Sequence, residues 1–205
     1  MPPATGPYAS GGGDGERRAA GVSREALVEA MLRACTEVGY ERVGIDDLLT
    51  RGGGERDDFY RHFSDLSDCF AAAYTAETDR ICGEILARAA IAEDWRAGLH
   101  AGLGFFADFV TERSSRARVL LLDVHLAGEI AEQQRTELLE RLARAVDTAR
   151  EETDYAHSPP PLTSLFMVSA VEAAAVSALV RDEPESFAEA APELEQMIIT
   201  AYFGD

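Results

Sequence analysis

Hydrophobic residues recur every three or four positions along most of this chain, which is the spacing of one face of an α-helix. The first such stripe consists of Leu27, Met31, Ala34, Cys35 and Val38. Ser23 precedes it as a predicted N-terminal cap. Residues 64–90 form the longest periodic segment, which would make a helix roughly 40 Å long. The sequence has no alternating pattern of strand length, so the predicted fold class is all-α.

The second half of the chain continues with amphipathic segments of helical length. Five helices are predicted there, at residues 94–112, 116–125, 129–148, 162–180 and 184–203. The HSPPP stretch at residues 157–161 separates the third of these from the fourth. Pro192 is expected to kink or split the last helix, because proline lacks the backbone N–H that an interior helical position needs.

Two short helices separated by glycines lie between the first helix and the longest one. They are predicted at residues 45–50 and 55–62, and residues 52–54 are all glycine. The second short helix ends in an aromatic cluster made of Phe59, Tyr60, His62 and Phe63. This order is typical of a helix-turn-helix, whose second helix enters the major groove of DNA. We therefore predict a helix-turn-helix domain at residues 22–66 and a helical body at residues 67–205.

The N-terminal segment, residues 1–21, is rich in glycine and proline and has almost no residue able to build a core. It is predicted to be a disordered arm. Arg17 and Arg18 could reach the minor groove from such an arm. The other interpretation is an ordinary solvated tail, and the sequence leaves both open.

The spacing of Gly39 and Tyr40, of residues 45–48 and of residues 59–63 matches a known family. With these residues the chain resembles the TetR/AcrR family of bacterial one-component transcription regulators. The resemblance implies a DNA-binding dimer, a repressor, whose body binds a small apolar effector. It makes the helix predicted at residues 55–62 the recognition helix. The implied DNA-binding residues are Arg56, Asp57, Tyr60, Arg61 and His62.

Each of these side chains has a chemical reason to face DNA. Tyr60 and His62 take the places of phosphate-contacting residues in the resemblance, and Arg56 and Arg61 supply the available cations. Asp57 can accept a hydrogen bond from cytosine N4. The alternative is that Tyr60 and His62 only complete the packing of the three-helix domain.

Charge and four departures from the family pattern favour a second function. The chain has 19 basic and 37 acidic residues, a net charge of −18, and every basic residue is an arginine. Gly44 stands where a hydroxyl cap is usual, Gly54 where an apolar turn residue is usual, and Leu66 where a lysine is usual. The predicted recognition helix also carries three acids, Glu55, Asp57 and Asp58. The alternative is a degenerate protein of this fold that has lost operator binding and acts as a ligand- or protein-binding module.

The resemblance also implies an effector pocket between helices of the body. Aromatic and apolar side chains are the candidates to line it: Phe105, Phe106, Phe109, Leu121, His125 and Phe166. A plain hydrophobic core explains the same residues equally well.

The last two predicted helices pair with their copies in the family, which implies a homodimer. The helix predicted at residues 162–180 is rich in alanine and serine, which let two helices approach closely. The candidate interface residues are Ala170, Ala174, Ser177, Ala178, Met197 and Tyr202. Glu172 interrupts this helix, and it is expected to be exposed, paired across the interface or turned into the pocket.

The sequence gives no sign of catalysis. It has no nucleophile elbow, no phosphate-binding loop and no His, Cys or carboxylate cluster at metal spacing, so we expect no enzyme, cofactor or metal. Cys35, Cys69 and Cys82 are expected to be reduced residues of a cytoplasmic protein. No apolar run is expected to reach the ~18 residues that cross a membrane.

Overall fold

The computed structural model describes residues 21–151 and 159–203. Residues 1–20 of the predicted arm, with Arg17 and Arg18, and residues 157–158 of the HSPPP stretch lie outside these ranges. Within them the chain is all-helical, as predicted, and has no strand. The α-helices are α1 (Arg24–Val38), α2 (Ile45–Gly52), α3 (Arg56–His62), α4 (Leu66–Ala90), α5 (Trp95–Glu112), α6 (Ser114–Leu121), α7 (Glu129–Glu151), α8 (Thr163–Val180) and α9 (Glu185–Phe203). Two short 3-10 helices, Tyr40–Arg42 and Asp123–His125, complete them.

Side-chain caps define where three of the helices begin. Ser23 Oγ accepts a hydrogen bond from the backbone N–H of Ala26 at 3.2 Å and starts α1, as the sequence predicts. Asp65 and Asp94 cap α4 and α5 in the same way, through bonds of 2.9 Å and 2.8 Å to backbone N–H groups three residues later. The long α4 therefore begins immediately after α3, with only a short capping turn between them.

Helices α1, α2 and α3 pack as a three-helix head on the start of α4. Leu27, Met31, Leu48 and Phe59 are fully buried in it, and Phe70 brings α4 into the same core. Helix α1 also packs against α6 of the body. The core of the head therefore continues into the core of the body.

The body differs from its predicted outline at two places. The helix predicted at residues 116–125 ends at Leu121 and is followed by the 3-10 turn Asp123–His125. Pro192 lies inside α9 without splitting it. Its missing N–H is tolerated there in an otherwise continuous helix, so the predicted split was wrong.

Helix α8 is apolar enough to cross a membrane by length and composition alone. The expectation that no segment reaches this length was therefore wrong. The physical reason is that a single charged residue, Glu172, interrupts a helix of 18 residues. Helix α8 packs between α7 and α9 on one side, and its opposite side is exposed.

The three cysteines are buried and free. Burial raises the pKa of Cys35 and that of Cys69 to about 12. Both thiols are therefore protonated at neutral pH and act as small apolar core residues.

Candidate functional site

The exposed side of α3 carries the residues that were predicted to face DNA. Phe59 and Phe63 point into the head, while Tyr60 is 54% exposed. Arg56, Asp57, Arg61 and His62 are exposed as well. The helix therefore offers a tyrosine and two arginines outward, which is the set that a DNA reader needs.

Both arginines on this surface are already paired with acids of the head. Arg56 donates two hydrogen bonds to Asp46 on α2, from Nε to Oδ1 at 3.0 Å and from Nη2 to Oδ2 at 2.8 Å. The hydrogen bond from Arg56 and its charge lower the pKa of Asp46. Asp46 thus stays ionised and competes with phosphate for the guanidinium.

Asp58, one of the three acids of the predicted recognition helix, is buried. Its carboxylate accepts a hydrogen bond from the backbone N–H of Glu55 at 2.9 Å and one from Arg61 Nη1 at 2.5 Å. The Glu55 backbone bond, followed by Arg61, lowers the pKa of Asp58. Asp58 therefore caps α3 and holds Arg61, and it does not face a ligand.

Val22 supplies the apolar side chain that the glycine turn lacks. A Cβ on Gly54 would lie 2.9 Å from Val22 Cγ1 and 2.9 Å from Asp58 Oδ2, and the φ of Gly54 is +115°. Only glycine fits this position. His62 fixes the same segment, since its Nε2 donates to the carbonyl O of Val22 at 3.0 Å.

Among the described residues, no side chain replaces the missing hydroxyl cap of α2, but the backbone N–H of Gly44 has an acidic partner. Asp47 Oδ2 accepts a hydrogen bond from the backbone N–H of Gly44 at 2.9 Å. A carboxylate near a helix N-terminus stabilises the helix dipole, but it adds a negative charge beside the proposed DNA surface.

A cavity of about 270 Å³ lies inside the body. Helices α4, α5, α7 and α8 form most of its wall, with smaller parts from α6 and α9. Three of the predicted pocket residues line it: Phe106, Phe109 and Leu121. Trp95, the single tryptophan of the chain, lines it as well.

The other three predicted pocket residues lie outside the cavity lining. Arg88 lies over the ring of Phe105, 4.7 Å from its centroid. His125 is exposed, and its Nδ1 donates to Glu132 Oε1 at 2.5 Å. Phe166 is 66% exposed on the outer side of α8. These aromatic side chains could line a pocket, but none of the three points into this cavity.

Glu172 provides the polar end of the cavity. Its side chain is buried and lines the cavity, and among the described lining residues it is the only charged one. Arg135 on α7 binds both carboxylate oxygens, through Nε to Oε1 at 2.7 Å and through Nη2 to Oε2. Of the three positions expected for Glu172, the structure therefore has the one turned into the pocket, with a partner from the same chain.

A line of polar contacts leads from this cluster to the head. Arg135 Nη1 is 3.9 Å from Glu132 Oε2, and Glu132 holds His125 of the 3-10 turn. In the same turn, Asp123 Oδ2 accepts a hydrogen bond from the backbone N–H of Tyr40 at 3.0 Å. The cavity and the head are thus joined by side-chain contacts as well as by α4.

The outer side of α8 is an exposed apolar surface. Leu162 precedes it, Phe166, Ala173 and Ser177 follow at helical spacing, and Val180 ends it at 67% exposure. Met197 on α9 is also exposed, and Ala170 and Ala174 are half-buried beside the stripe. Exposed apolar surface of this extent is typical of a protein interface.

Two of the predicted interface residues face the interior of the protomer. Ala178 is buried, and Tyr202 is fully buried. The Tyr202 hydroxyl donates to Ser164 Oγ at 2.7 Å, and its ring packs against Trp95. Neither side chain is available to a second copy, because both lie on the inner sides of α8 and α9.

These observations define a class of protein: a helix-turn-helix head joined by one long helix to an all-helical body with an internal cavity. Similar solved structures share this architecture. One is a fatty acid degradation regulator, FadR, from Bacillus halodurans, with 12% identity, a TM-score of 0.71, and coverage of 85% of this chain and 93% of that one. FadR from Bacillus subtilis, in complex with stearoyl-CoA, has 10% identity, a TM-score of 0.73, and coverage of 87% and 99%.

A third similar structure is a TetR-family transcriptional regulator from Pectobacterium atrosepticum. It is 21% identical in sequence, with a TM-score of 0.71. The match covers 87% of the present chain and 93% of the Pectobacterium regulator. The chain therefore has the fold of the TetR family, which confirms the fold that the resemblance implied. These neighbours are described as transcriptional regulators and not as enzymes. No protein-family model and no curated protein matches the sequence.

Proposed function

We propose that this protein is a dimeric, cytoplasmic transcriptional repressor that binds operator DNA with its helix-turn-helix head and is controlled by a small, largely apolar effector in the cavity. One observation carries the proposal: α4 walls the cavity and begins directly after α3. Tyr74, Ile81 and Ile85 on α4 line the cavity, and Asp65 at its start follows the head. A ligand that moves α4 would move the recognition helix with it.

The control step requires two states of the body. An effector shifts their populations only if it binds one of them more tightly than the other. The proposed states differ in how far α4 holds the two α3 helices of a dimer apart. Those helices must lie roughly 34 Å apart to enter successive major grooves. A ligand that favours a different spacing releases the DNA.

The contacts around the Asp123–His125 turn support the same coupling. They join Glu172 and Arg135 in the cavity wall to the backbone of Tyr40 in the head, through Glu132 and His125. We infer that a ligand touching Glu172 acts on the head through this turn as well as through α4.

The dimer in this proposal uses the outer side of α8 and Met197 of α9. The stripe from Phe166 to Val180 is uncharged and mostly apolar, with Ser177 as its polar residue, so burying it against a second copy is favourable. The proposed interface contains Phe166 and Val180, which are exposed. It does not contain Ala178 and Tyr202, which are buried.

The second candidate function is a ligand- or protein-binding module that does not bind operator DNA. The ion pairs of Arg56 and Arg61 favour it. Asp46 and Asp58 occupy Arg56 and Arg61, the two cations of the exposed side of α3. Arg56 and Asp46 are both exposed, and exposed ion pairs are weak, so phosphate can displace the Asp46 carboxylate from Arg56. Operator binding is the first candidate for that reason.

The experiment that separates the two candidates is a titration of labelled DNA from the gene's own upstream region. It is carried out at ~50 mM salt, where phosphate contacts are strongest. Binding at micromolar protein or below, lost with Tyr60→Ala, supports the repressor. The second candidate predicts a different result: the protein is a dimer and still binds a ligand in the cavity, but it binds no upstream DNA fragment.

A further inference from the structure

The carboxylate of Glu172 has unused hydrogen-bonding capacity at the end of an otherwise apolar cavity. Arg135 donates one hydrogen bond to each of its oxygens. A carboxylate oxygen has about two acceptor sites, so one site on each oxygen is left. The side chain is buried, so these sites are directed into the protein and not toward bulk water.

The charge around this end of the cavity is negative. Arg135 also lies near Glu132, with 3.9 Å between Nη1 and Oε2, so a single guanidinium faces two carboxylates. Glu132, Arg135 and Glu172 together carry one net negative charge when His125 is neutral. Glu172 is buried, so its charge is screened less by solvent than the charge of Glu132, whose side chain is 40% exposed.

Tyr74 adds a neutral polar group to the same region. Its side chain lines the cavity from α4. Burial and the nearby charge of Glu172 raise the pKa of Tyr74, so its hydroxyl stays protonated at neutral pH. The polar end thus offers acceptors on Glu172 and a hydroxyl on Tyr74, while Arg135 beside it already donates two hydrogen bonds to Glu172 and lies 3.9 Å from Glu132.

We propose that the cavity selects an apolar molecule that ends in a hydrogen-bond-donating cation, a protonated amine, which Glu172 receives. This inference rests on the proposed role of the cavity as the effector site, and it adds the chemical class of the effector. The cavity discriminates against a carboxylate or phosphate of the same size, because such a group would meet Glu172 with no free cation beside it.

The test uses three probes with the same apolar chain and different heads: decylamine, decanol and decanoate. At pH 7 they carry a positive, a zero and a negative charge. Trp95 lines the cavity and is the only tryptophan, so its fluorescence reports binding at this site and no other. No DNA is needed, which keeps this test independent of operator binding.

For the full-length protein we expect decylamine to bind at least tenfold more tightly than decanoate, with decanol between them. Glu172→Gln should remove most of that preference by weakening decylamine and strengthening decanoate. The matched control is Glu140→Gln, an exposed acid on the same helix as Arg135, paired with Arg144. It should keep the order of the three probes.

Three results would overturn the inference. If decanoate binds as tightly as decylamine, the selectivity is wrong, while an effector role for the cavity survives. If none of the probes changes Trp95 fluorescence or raises the melting temperature, the effector role fails too. If Glu172→Gln folds, as judged by its helical circular dichroism, and keeps the wild-type order, another group sets the preference. If Glu172→Gln does not fold, the affinities of the wild-type protein for the three probes test the inference by themselves.

Discussion

The Arg56 guanidinium donates two hydrogen bonds to the Asp46 carboxylate, and this pair joins the first residue of α3 to the first turn of α2. Two oxygens of a carboxylate match the guanidinium as two oxygens of a phosphate do. In the proposed repressor, Asp46 therefore holds Arg56 in the free protein in the way that we propose a DNA phosphate does in the complex. Removing the Asp46 carboxylate is then the most direct test of Arg56 as a DNA contact.

Asp46→Asn should increase DNA affinity by three- to tenfold at ~50 mM salt. In each protomer the substitution removes one negative charge and frees Arg56 for one phosphate, so the slope of log affinity against log salt should become steeper by up to about 0.9 per protomer. Fluorescence anisotropy with labelled upstream DNA measures both quantities.

The control for that substitution is Asp79→Asn. Asp79 is an exposed acid on α4 that binds Arg141 at 2.6 Å, so its loss also frees one arginine and removes one charge. It lies in the body, so DNA affinity should change less than twofold. Equal effects of the two substitutions would mean that net charge, and not Arg56, sets the affinity.

Glu77 should contribute strongly to stability, because two arginines share its buried carboxylate. Arg80 Nη2 lies 2.8 Å and Arg116 Nε 2.9 Å from Oε1 of Glu77, which joins α4 to α6. Removing one partner of a buried ion pair costs about 3 to 5 kcal/mol. Glu77→Gln should therefore lower the free energy of unfolding in urea by about 3 kcal/mol. Glu84→Gln, which breaks an exposed pair with Arg88, should lower it by less than about 1 kcal/mol.

The same residue predicts a loss of stability in acid. Burial alone would raise the pKa of Glu77, but the hydrogen bonds and charges of Arg80 and Arg116 outweigh it and lower that pKa. A lowered folded-state pKa gives stability that is present above the unfolded-state pKa and lost as the pH falls through the folded-state pKa. Urea unfolding between about pH 5 and pH 3 should show a smaller loss for Glu77→Gln than for the wild type. Parallel curves would show that Glu77 does not titrate differently in the two states.

The α8 surface should hold the dimer together. Phe166→Glu replaces the largest apolar side chain of that surface with a charge, so sedimentation should report a dimer for the wild type and a monomer for the variant at micromolar concentration. Ile91→Glu is the matched control, since Ile91 is an apolar residue that is 87% exposed at the end of α4 and does not belong to the α8 surface. A Phe166→Glu protein that sediments as a dimer would place the interface elsewhere.

Glu132 should couple the cavity to the head. Glu132→Gln weakens the contacts to His125 and Arg135, so the ligand should still bind, within about threefold, but change DNA affinity less than it does for the wild type. Glu137→Gln, on the same helix and hydrogen-bonded only to Gln133 among the described residues, should respond like the wild type. A full response from Glu132→Gln would leave α4 as the sole connection.

Much of the fold was readable from local signals in the sequence. Ser23 precedes an apolar stripe of period 3.6, and it caps α1 as such residues do. The role of Asp58 also has a local signal in the sequence, since an acid three residues after Glu55 is at the position of a capping box.

The rest depended on how helices are rotated against one another. Glu172 and Arg135 are 37 residues apart on two helices, and no local pattern predicts that they meet. An error of one residue turns a helical side chain by about 100°, which is enough to exchange cavity and surface. That is why Phe166 was placed in the pocket and Tyr202 in the interface.

The most direct test of the account is whether occupancy of the cavity changes the affinity for DNA. Labelled upstream DNA is titrated with the protein at ~50 mM salt, with and without the decyl probe that saturates the Trp95 signal. We predict that the probe weakens DNA binding at least fivefold, and that Leu142→Trp, which fills the cavity, abolishes this response. Equal DNA affinity with the cavity empty and saturated would contradict the account.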